Sequence, residues 1–397
     1  MHAGMGAQAR ERRRSFASAM VRVLAAVAAF TGTAHAVLPA EVGGTRTTET
    51  LALPPPKHWV WVNDFVFPHM TDGAAHLIDG DTGRYLGMLS TGSSFSHVVL
   101  SRDGKLIYSP EIYFSRGTRG TRTDVVTIYD AATLKVVTEI EIPPKRASNV
   151  PSSGNAELTD DDRFLLVYNF NPAQSVTVVD TASRRFVGEI ETPGCAFAFA
   201  SGPRSFFSMC ADASFLSVDL DEAGHAARQA RSEPLFDVAR DPLAERPVRV
   251  GNTWYYVSME GWVHPIEKTA TGFRALPAWA IASATERAAG WRPGGVQQLA
   301  IHAKSGRLYV IVHRGGRETH KDPGTTLWVH DLATHRRVKA ITTPRPLVSI
   351  RLSSDDDPLL YGIVAESNVV DVLSPSSGRL LRSVKDVGTT PILLVTP

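Results

Sequence analysis

Apolar and polar positions alternate in short runs along most of this chain, and the runs come in a fixed order. From residue 176 to 194 a β-branched run, Val176-Thr177-Val178-Val179, reaches Asp180; a short polar turn ending in bases follows, and a second alternating run stops at Pro193-Gly194. Period-two alternation in β-branched residues, broken by a polar turn, predicts a β-hairpin, with the Asp carboxylate capping the turn's own N–H groups. The pattern recurs over 74–92 around Asp79, 126–144 around Asp130, 215–232 around Asp219 and 327–345 around Asp331. Two degenerate copies lie at 262–279, with His264-Pro265 near the Asp position, and at 369–388, which turns at Ser374-Pro375 after Asp371.

Between these copies lies a second hairpin type, a polar turn followed by an apolar run. Examples are Ser101-Arg102-Asp103-Gly104 before Lys105-Leu106-Ile107-Tyr108, and Lys304-Ser305-Gly306-Arg307 before Leu308-Tyr309-Val310-Ile311. Two hairpins make a four-stranded unit, repeating at about 40 to 50 residues as propeller blades do. The expected fold is therefore all-β, a seven-bladed β-propeller over residues 59–397 with no internal domain boundary. The last residues, Pro391-Ile392-Leu393-Leu394-Val395, resemble the opening strand of the later units, which the unit starting at Trp59 lacks. They are expected to complete that unit and close the ring, removing two exposed sheet edges.

The N-terminus has another pattern. Arg10, Arg12, Arg13 and Arg14 precede an apolar run from Met20 to Phe30, and Ala34-His35-Ala36 supplies a small-x-small cleavage site. Residues 1–36 read as an export signal, too short in its apolar run for a membrane anchor; Arg13-Arg14-Ser15-Phe16 also fits a twin-arginine signal. The mature chain is then periplasmic without a membrane anchor, and residues 37–58, ending near Pro54-Pro55-Pro56, form an extended arm. In an oxidising compartment the two cysteines can pair. A hairpin symmetric about Gly202 and Pro203 sets Cys195 opposite Cys210, at a Cα separation of ~4.5 to 5.5 Å, within disulfide range. One segment breaks the β rhythm: the Ala-rich residues 277–290 read as a short helical insertion capped by Gly290, a candidate partner surface.

A net charge of +2 over 397 residues, with no basic stripe interleaved with aromatics, argues against nucleic-acid binding. The sequence holds no Gly-x-Ser-x-Gly elbow, no His-Glu-x-x-His, no phosphate-binding glycine loop and no Cys-x-x-Cys-His. No catalytic residue and no metal site is assigned. The acids Asp160-Asp161-Asp162 and Asp355-Asp356-Asp357 fall where other units turn and read as solvated turn residues. A propeller without a catalytic set is a scaffold, and its function lies in what it holds.

Several stretches resemble the heavy subunit of the quinoprotein amine dehydrogenases, the methylamine and aromatic amine dehydrogenases. They are Arg119-Gly120-Thr121-Arg122-Thr123-Asp124, Pro143-Pro144-Lys145-Arg146, Gly202-Pro203-Arg204-Ser205-Phe206-Phe207, and the run from Glu286 through Trp291-Arg292-Pro293-Gly294-Gly295. The resemblance implies a seven-bladed propeller with one disulfide between Cys195 and Cys210, in a heterotetramer of two heavy and two light subunits. It implies that the cofactor, tryptophan tryptophylquinone, and the catalytic base belong to the light subunit, with none in this chain, and that a cupredoxin or cytochrome c accepts the electrons. It sets Phe95 near the substrate channel; the other reading of Phe95 is a core strand residue. Trp291, Arg292, Gly294 and Gly295 become candidate partner-surface residues, while Val296 departs from the aromatic that commonly follows Pro-Gly-Gly. The reading is a non-catalytic heavy subunit of a periplasmic amine dehydrogenase. The alternative is a stand-alone exported propeller that acts as a binding module.

Overall fold

Each alternating run forms a strand, and every ladder between named strands is antiparallel. The computed structural model describes residues 48–397 apart from Ser94, Ser148 and Asn149. The export signal expected over 1–36 and the first half of the arm expected over 37–58 lie outside the described residues. Residues 50–397 form one compact unit.

Five sheets stand as discrete blades. The first orders Pro391–Val395, Trp59–Asp64, Gly73–Asp79 and Tyr85–Gly92; the second Val99–Leu100, Leu106–Phe114, Arg122–Asp130 and Val136–Ile142. The third holds Ala156–Leu158, Phe164–Asn169, Ser175–Asp180 and Arg185–Glu191, and the fourth Cys195–Gly202, Ser205–Cys210, Phe215–Leu220 and Ala226–Arg231. The fifth runs Val248–Val250, Thr253–Val257, Trp262–Lys268 and Phe273–Ala275, with Trp279–Ala280 also paired to Trp262–Lys268.

The expected count of seven blades is therefore wrong. From Trp291 to Val384 the chain makes one eight-stranded sheet rather than two further blades. Its cause is Arg337–Leu352, a strand of 16 residues. Residues 337–342 and 347 pair with Gly324–Asp331, and residues 347–352 pair with Leu360–Val364. Where an ordinary connection would turn, this one has Thr343-Pro344-Arg345-Pro346. Two prolines fix extended φ and push the residues before them out of the helical region, so the strand carries on.

Middle strands such as Phe164–Asn169 and Ser175–Asp180 are buried along their whole length, because neighbouring sheets cover both faces, while outer strands such as Ala226–Arg231 are largely exposed. Between the third, fourth and fifth sheets lies an aromatic core: the Phe207 ring is 4.6 Å from Phe273, 5.0 Å from Trp254 and 5.1 Å from Phe215. In the first sheet Trp61, Val62 and Asn63 face Val395, Leu394 and Leu393.

The turn acids act as capping groups with one relocation. Asp79, Asp130, Asp180 and Asp331 each accept a backbone N–H two or three residues on. In the fourth sheet Asp221, not Asp219, does this, accepting from Ala223 and His225, while Asp219 pairs with Arg228 across the ladder. Asp160 is not a solvated turn residue: Arg249 grips both its oxygens at 2.8 Å.

Cys195 and Cys210 face each other and are bonded, but not by the symmetric hairpin. The turn sits at Pro203-Arg204, with Gly202 opposite Ser205, and two irregularities between Ala196 and Gly202 restore the cysteine register. Phe197, at φ 67°, lies at the first of these. The expected insertion contracts to a one-turn helix, Ala284–Ala288, opened by Ser283 and Glu286 in a reciprocal capping box.

Candidate functional site

Phe95 stands in the connection between Tyr85–Gly92 and Val99–Leu100, not on a strand, at φ 56°. Its ring is 7% exposed and packs edge-on against Phe65 at 5.2 Å and Phe67 at 5.9 Å, in a cluster completed by Leu393. Phe67 opens the short 3-10 turn Phe67–His69 and is 45% exposed. The three rings therefore make a lip in which Phe95 is the buried support and Phe67 the presented face. Sequence reasoning missed Phe65 and Phe67, although Phe65-Val66-Phe67-Pro68, an aromatic pair ahead of a proline, was visible.

The connection that carries Phe95 is pinned at several points. Ser93 donates its N–H to the Ile112 carbonyl at 2.8 Å and accepts from Arg146 Nη2 at 2.9 Å. Ser96 Oγ donates to the Pro110 carbonyl, and His97 Nε2 meets the Ala156 carbonyl at 3.1 Å. Val98 donates its N–H to Asn63 Oδ1 at 2.9 Å, while Asn63 Nδ2 donates to the Leu393 carbonyl at 3.2 Å. Burial, with the Arg146 charge nearby, lowers His97 to about 4, so it stays neutral and serves as a strut.

Behind the connection lies a buried polar network. Arg146 is 2% exposed, and burial lowers its guanidinium to about 10 against the pull of Asp124. Asp124 accepts Arg122 Nε and Nη2, each at 2.6 Å, and the Arg146 N–H at 3.1 Å. Glu111 accepts hydroxyls from Thr127 and Tyr113 at 2.6 Å and from Tyr129 at 3.0 Å. Burial raises the Glu111 carboxyl despite those bonds. Both carboxylates are engaged on both oxygens, an arrangement that holds a wall in place and leaves neither as a free base.

The second candidate stretch is built into the eight-stranded sheet. Trp291–Pro293 pairs with Val312, His313 and Arg314, and the Gly294 N–H donates to the Ile311 carbonyl at 3.0 Å. Trp291 and Arg292 are half-buried, and Gly294 and Gly295 are buried. A side chain at Gly294 would strike His313 and the Asp322 carbonyl, and Gly295, at φ 89°, lies against the Val348 carbonyl. These glycines let three chain segments approach one another. Arg292 Nη1 lies 3.7 Å from Glu260, and its Nε and Nη1 have no hydrogen-bond partner among the described residues. Trp291 packs against Trp328 at 5.3 Å, with Arg314 over one ring and Arg337 over the other. Among the described residues no ring contact or hydrogen bond joins this stretch to Phe95.

The chain has relatives of known family. The family model described as methylamine dehydrogenase heavy chain (MADH) matches residues 57–397. The methylamine dehydrogenase heavy chain of Paracoccus versutus is 33% identical over 327 residues, covering 81% of this chain and 75% of that protein. That of Methylorubrum extorquens is 29% identical over 344 residues, covering 86% and 81%. Among solved structures, the β-propeller domain of Cps50 (Swd1) from Myceliophteria thermophila aligns with a TM-score of 0.53 at 11% identity, over 81% of this chain and 95% of that one, a likeness of fold alone.

Proposed function

Because the chain belongs to the methylamine dehydrogenase heavy chain family and is thus an amine dehydrogenase heavy subunit, we propose that it is the non-catalytic scaffold of a periplasmic enzyme that deaminates primary amines oxidatively. In this reading two copies hold two light subunits, each light subunit carries tryptophan tryptophylquinone and the catalytic base, and a cupredoxin or cytochrome c takes the electrons. The observation that carries the reading is the Phe65, Phe67 and Phe95 lip. An exposed aromatic, Phe67, set against the buried Phe95 on a connection pinned by Arg146 and His97, with Phe65 behind Phe95, is the form of an anchor for a partner chain.

The quinone named in this reading is built from two tryptophans, so the tryptophan pair of this chain is the place to test a fit. Trp291 and Trp328 do not fit: their ring centroids are 5.3 Å apart, Trp328 is buried, and a guanidinium covers each ring. That supports placing the group on the partner. What this chain supplies is rigidity and exclusion of water around the amine, from an apolar lip whose supporting carboxylates are already hydrogen-bonded.

Purification from the native host tests the reading. A small chain with visible quinone absorption should travel with this one, and amine-dependent dye reduction should need both. A single colourless chain in every fraction would overturn it and leave the stand-alone binding module.

A further inference from the structure

The inner-edge strands converge on a cavity of about 540 Å³ that the amine chemistry does not use. Its wall includes Glu157, Arg249, Leu299, Ile301, Arg351 and Leu393. Most of the charges around it have partners. Arg249 grips Asp160, and Arg102 lies between Asp160 and Asp162. Lys304 pairs with Asp356, and Arg246 with Glu245 and the Pro151 carbonyl. His97 is bonded to Ala156, and His302 to Ser305 and the Asp355 carbonyl. At the mouth, Pro397 accepts from Ser354 Oγ.

Arg351 is the exception. Its Nε donates to Thr396 Oγ1 at 3.2 Å, and among the described residues no carboxylate lies within the 4.0 Å of an ion pair. The other guanidinium N–H groups have no acceptor among the described residues. Glu157 is near enough for its charge to act on Arg351, and its Oε2 accepts the Ala200 N–H at 2.9 Å. A guanidinium with free parallel N–H groups is a carboxylate receptor, and the adjoining wall of Leu299, Ile301 and Leu393 suits an alkyl group.

We propose that this cavity is a binding site for a small organic monoanion, a carboxylate with a short apolar tail, held by the Arg351 guanidinium with its tail against Leu299, Ile301 and Leu393. Glu157 makes the site sensitive to pH. Burial raises its carboxyl to about 7, above the Arg249 and Ala200 interactions that pull the other way. Neutral Glu157 leaves Arg351 to the ligand; ionised Glu157 takes that charge for itself and repels the anion. Across this range His97 is neutral, while Arg102, Arg246, Arg249 and Lys304 remain with their partners.

The test is calorimetric titration of sodium butyrate, with inorganic phosphate as the comparison, into the intact protein as purified. Butyrate should bind about tenfold more tightly at about pH 6 than at about pH 8, the change in the fraction of neutral Glu157. Arg351→Met should weaken binding at least about tenfold, and Glu157→Gln should keep the tighter affinity at both pH values. No butyrate binding at either pH overturns the proposal, as does phosphate binding equally well, or a folded Arg351→Met protein that binds like wild type. If Arg351→Met does not fold, the Glu157→Gln profile decides: a pH dependence unchanged from wild type sinks the assignment.

Discussion

The carboxylate of Asp64 accepts the backbone N–H of Thr390 at 2.7 Å, across 326 residues of sequence. The same group accepts from Thr389 at 2.6 Å and Val66 at 3.0 Å. Burial pushes the Asp64 carboxyl up, but His76, with Nε2 3.6 Å away, and the hydrogen bonds from Thr389, Thr390 and Val66 outweigh it, and the net shift is down. A lowered folded pKa contributes stability above the unfolded carboxylate value, and that stability is lost as pH falls through the folded one. Asp64→Ala, which strips an acceptor from buried N–H groups, should cost about 3 kcal/mol near neutral pH, and the deficit should shrink on acidification. Urea unfolding at neutral and acid pH checks both. Gly388→Ala should act on the same junction, since Gly388 sits at φ 72° and its added methyl would strike Asp64. Equal midpoints for wild type and both variants would refute this account of the closure.

His58 is held between two acids, with Nδ1 2.8 Å from Asp81 and Nε2 2.8 Å from Asp355. Burial lowers its pKa, but the Asp81 hydrogen bond and the charges of Asp81 and Asp355 overcome that, so the net shift is up. Its contribution is complete below the unfolded value of about 6.5 and is lost as pH rises through the higher folded value. His58→Gln should therefore destabilise more at about pH 6 than at about pH 9. Thermal melts across that range measure it, and a pH-independent difference would remove the charged clasp.

The Cys195–Cys210 bond spans 15 residues of sequence. Restricting a loop of that size in the unfolded chain corresponds to about 3 kcal/mol. The double replacement Cys195→Ser with Cys210→Ser should lower the unfolding midpoint accordingly without changing strand content by circular dichroism. An unchanged midpoint would mean that the packing there already fixes the hairpin.

Phe207→Ala removes a fully buried ring that touches Phe273, Trp254, Phe215 and Phe199. Loss of burial plus the cavity left between sheets predicts a cost of about 3 to 5 kcal/mol. Denaturant unfolding reads it directly, and a cost below about 1 kcal/mol would contradict the packing described.

Phe67 and Phe95 should separate partner binding from folding. Phe67→Ser removes an exposed ring, so the isolated chain should unfold within about 0.5 kcal/mol of wild type. Its affinity for the light subunit should fall by about 2 kcal/mol, close to 30-fold in Kd. Phe95→Ala should instead lower the stability of the chain itself. Equal affinity of Phe67→Ser and wild type would take the lip out of the interface.

Most of the hairpins were readable from residues alone because they combine β-branched alternation with an acid that caps its own turn, as Asp79, Asp130, Asp180 and Asp331 do, and both signals are local. What escaped was set by distant pairing. Nothing around Thr343-Pro344-Arg345-Pro346 announces that one strand will join two sets of neighbours, since prolines mark a break and an extended bridge equally well. The cysteine pairing was anticipated, but the two irregularities beside Phe197 were not, because a bulge leaves no residue type of its own here. At the site, Phe95 was singled out through resemblance, whereas Phe67, the more exposed ring, becomes distinct only when a fold turns one aromatic inward and the next outward.

The pairing of Trp59–Asp64 with Pro391–Val395 has a consequence for biosynthesis. A ribosome makes the first of these strands long before the second exists: Asn63 waits 330 residues for Leu393. Until then the nascent polypeptide carries an open β edge along Trp59–Asp64, and shielding of that edge matters most during elongation, before the last strand is made to cover it.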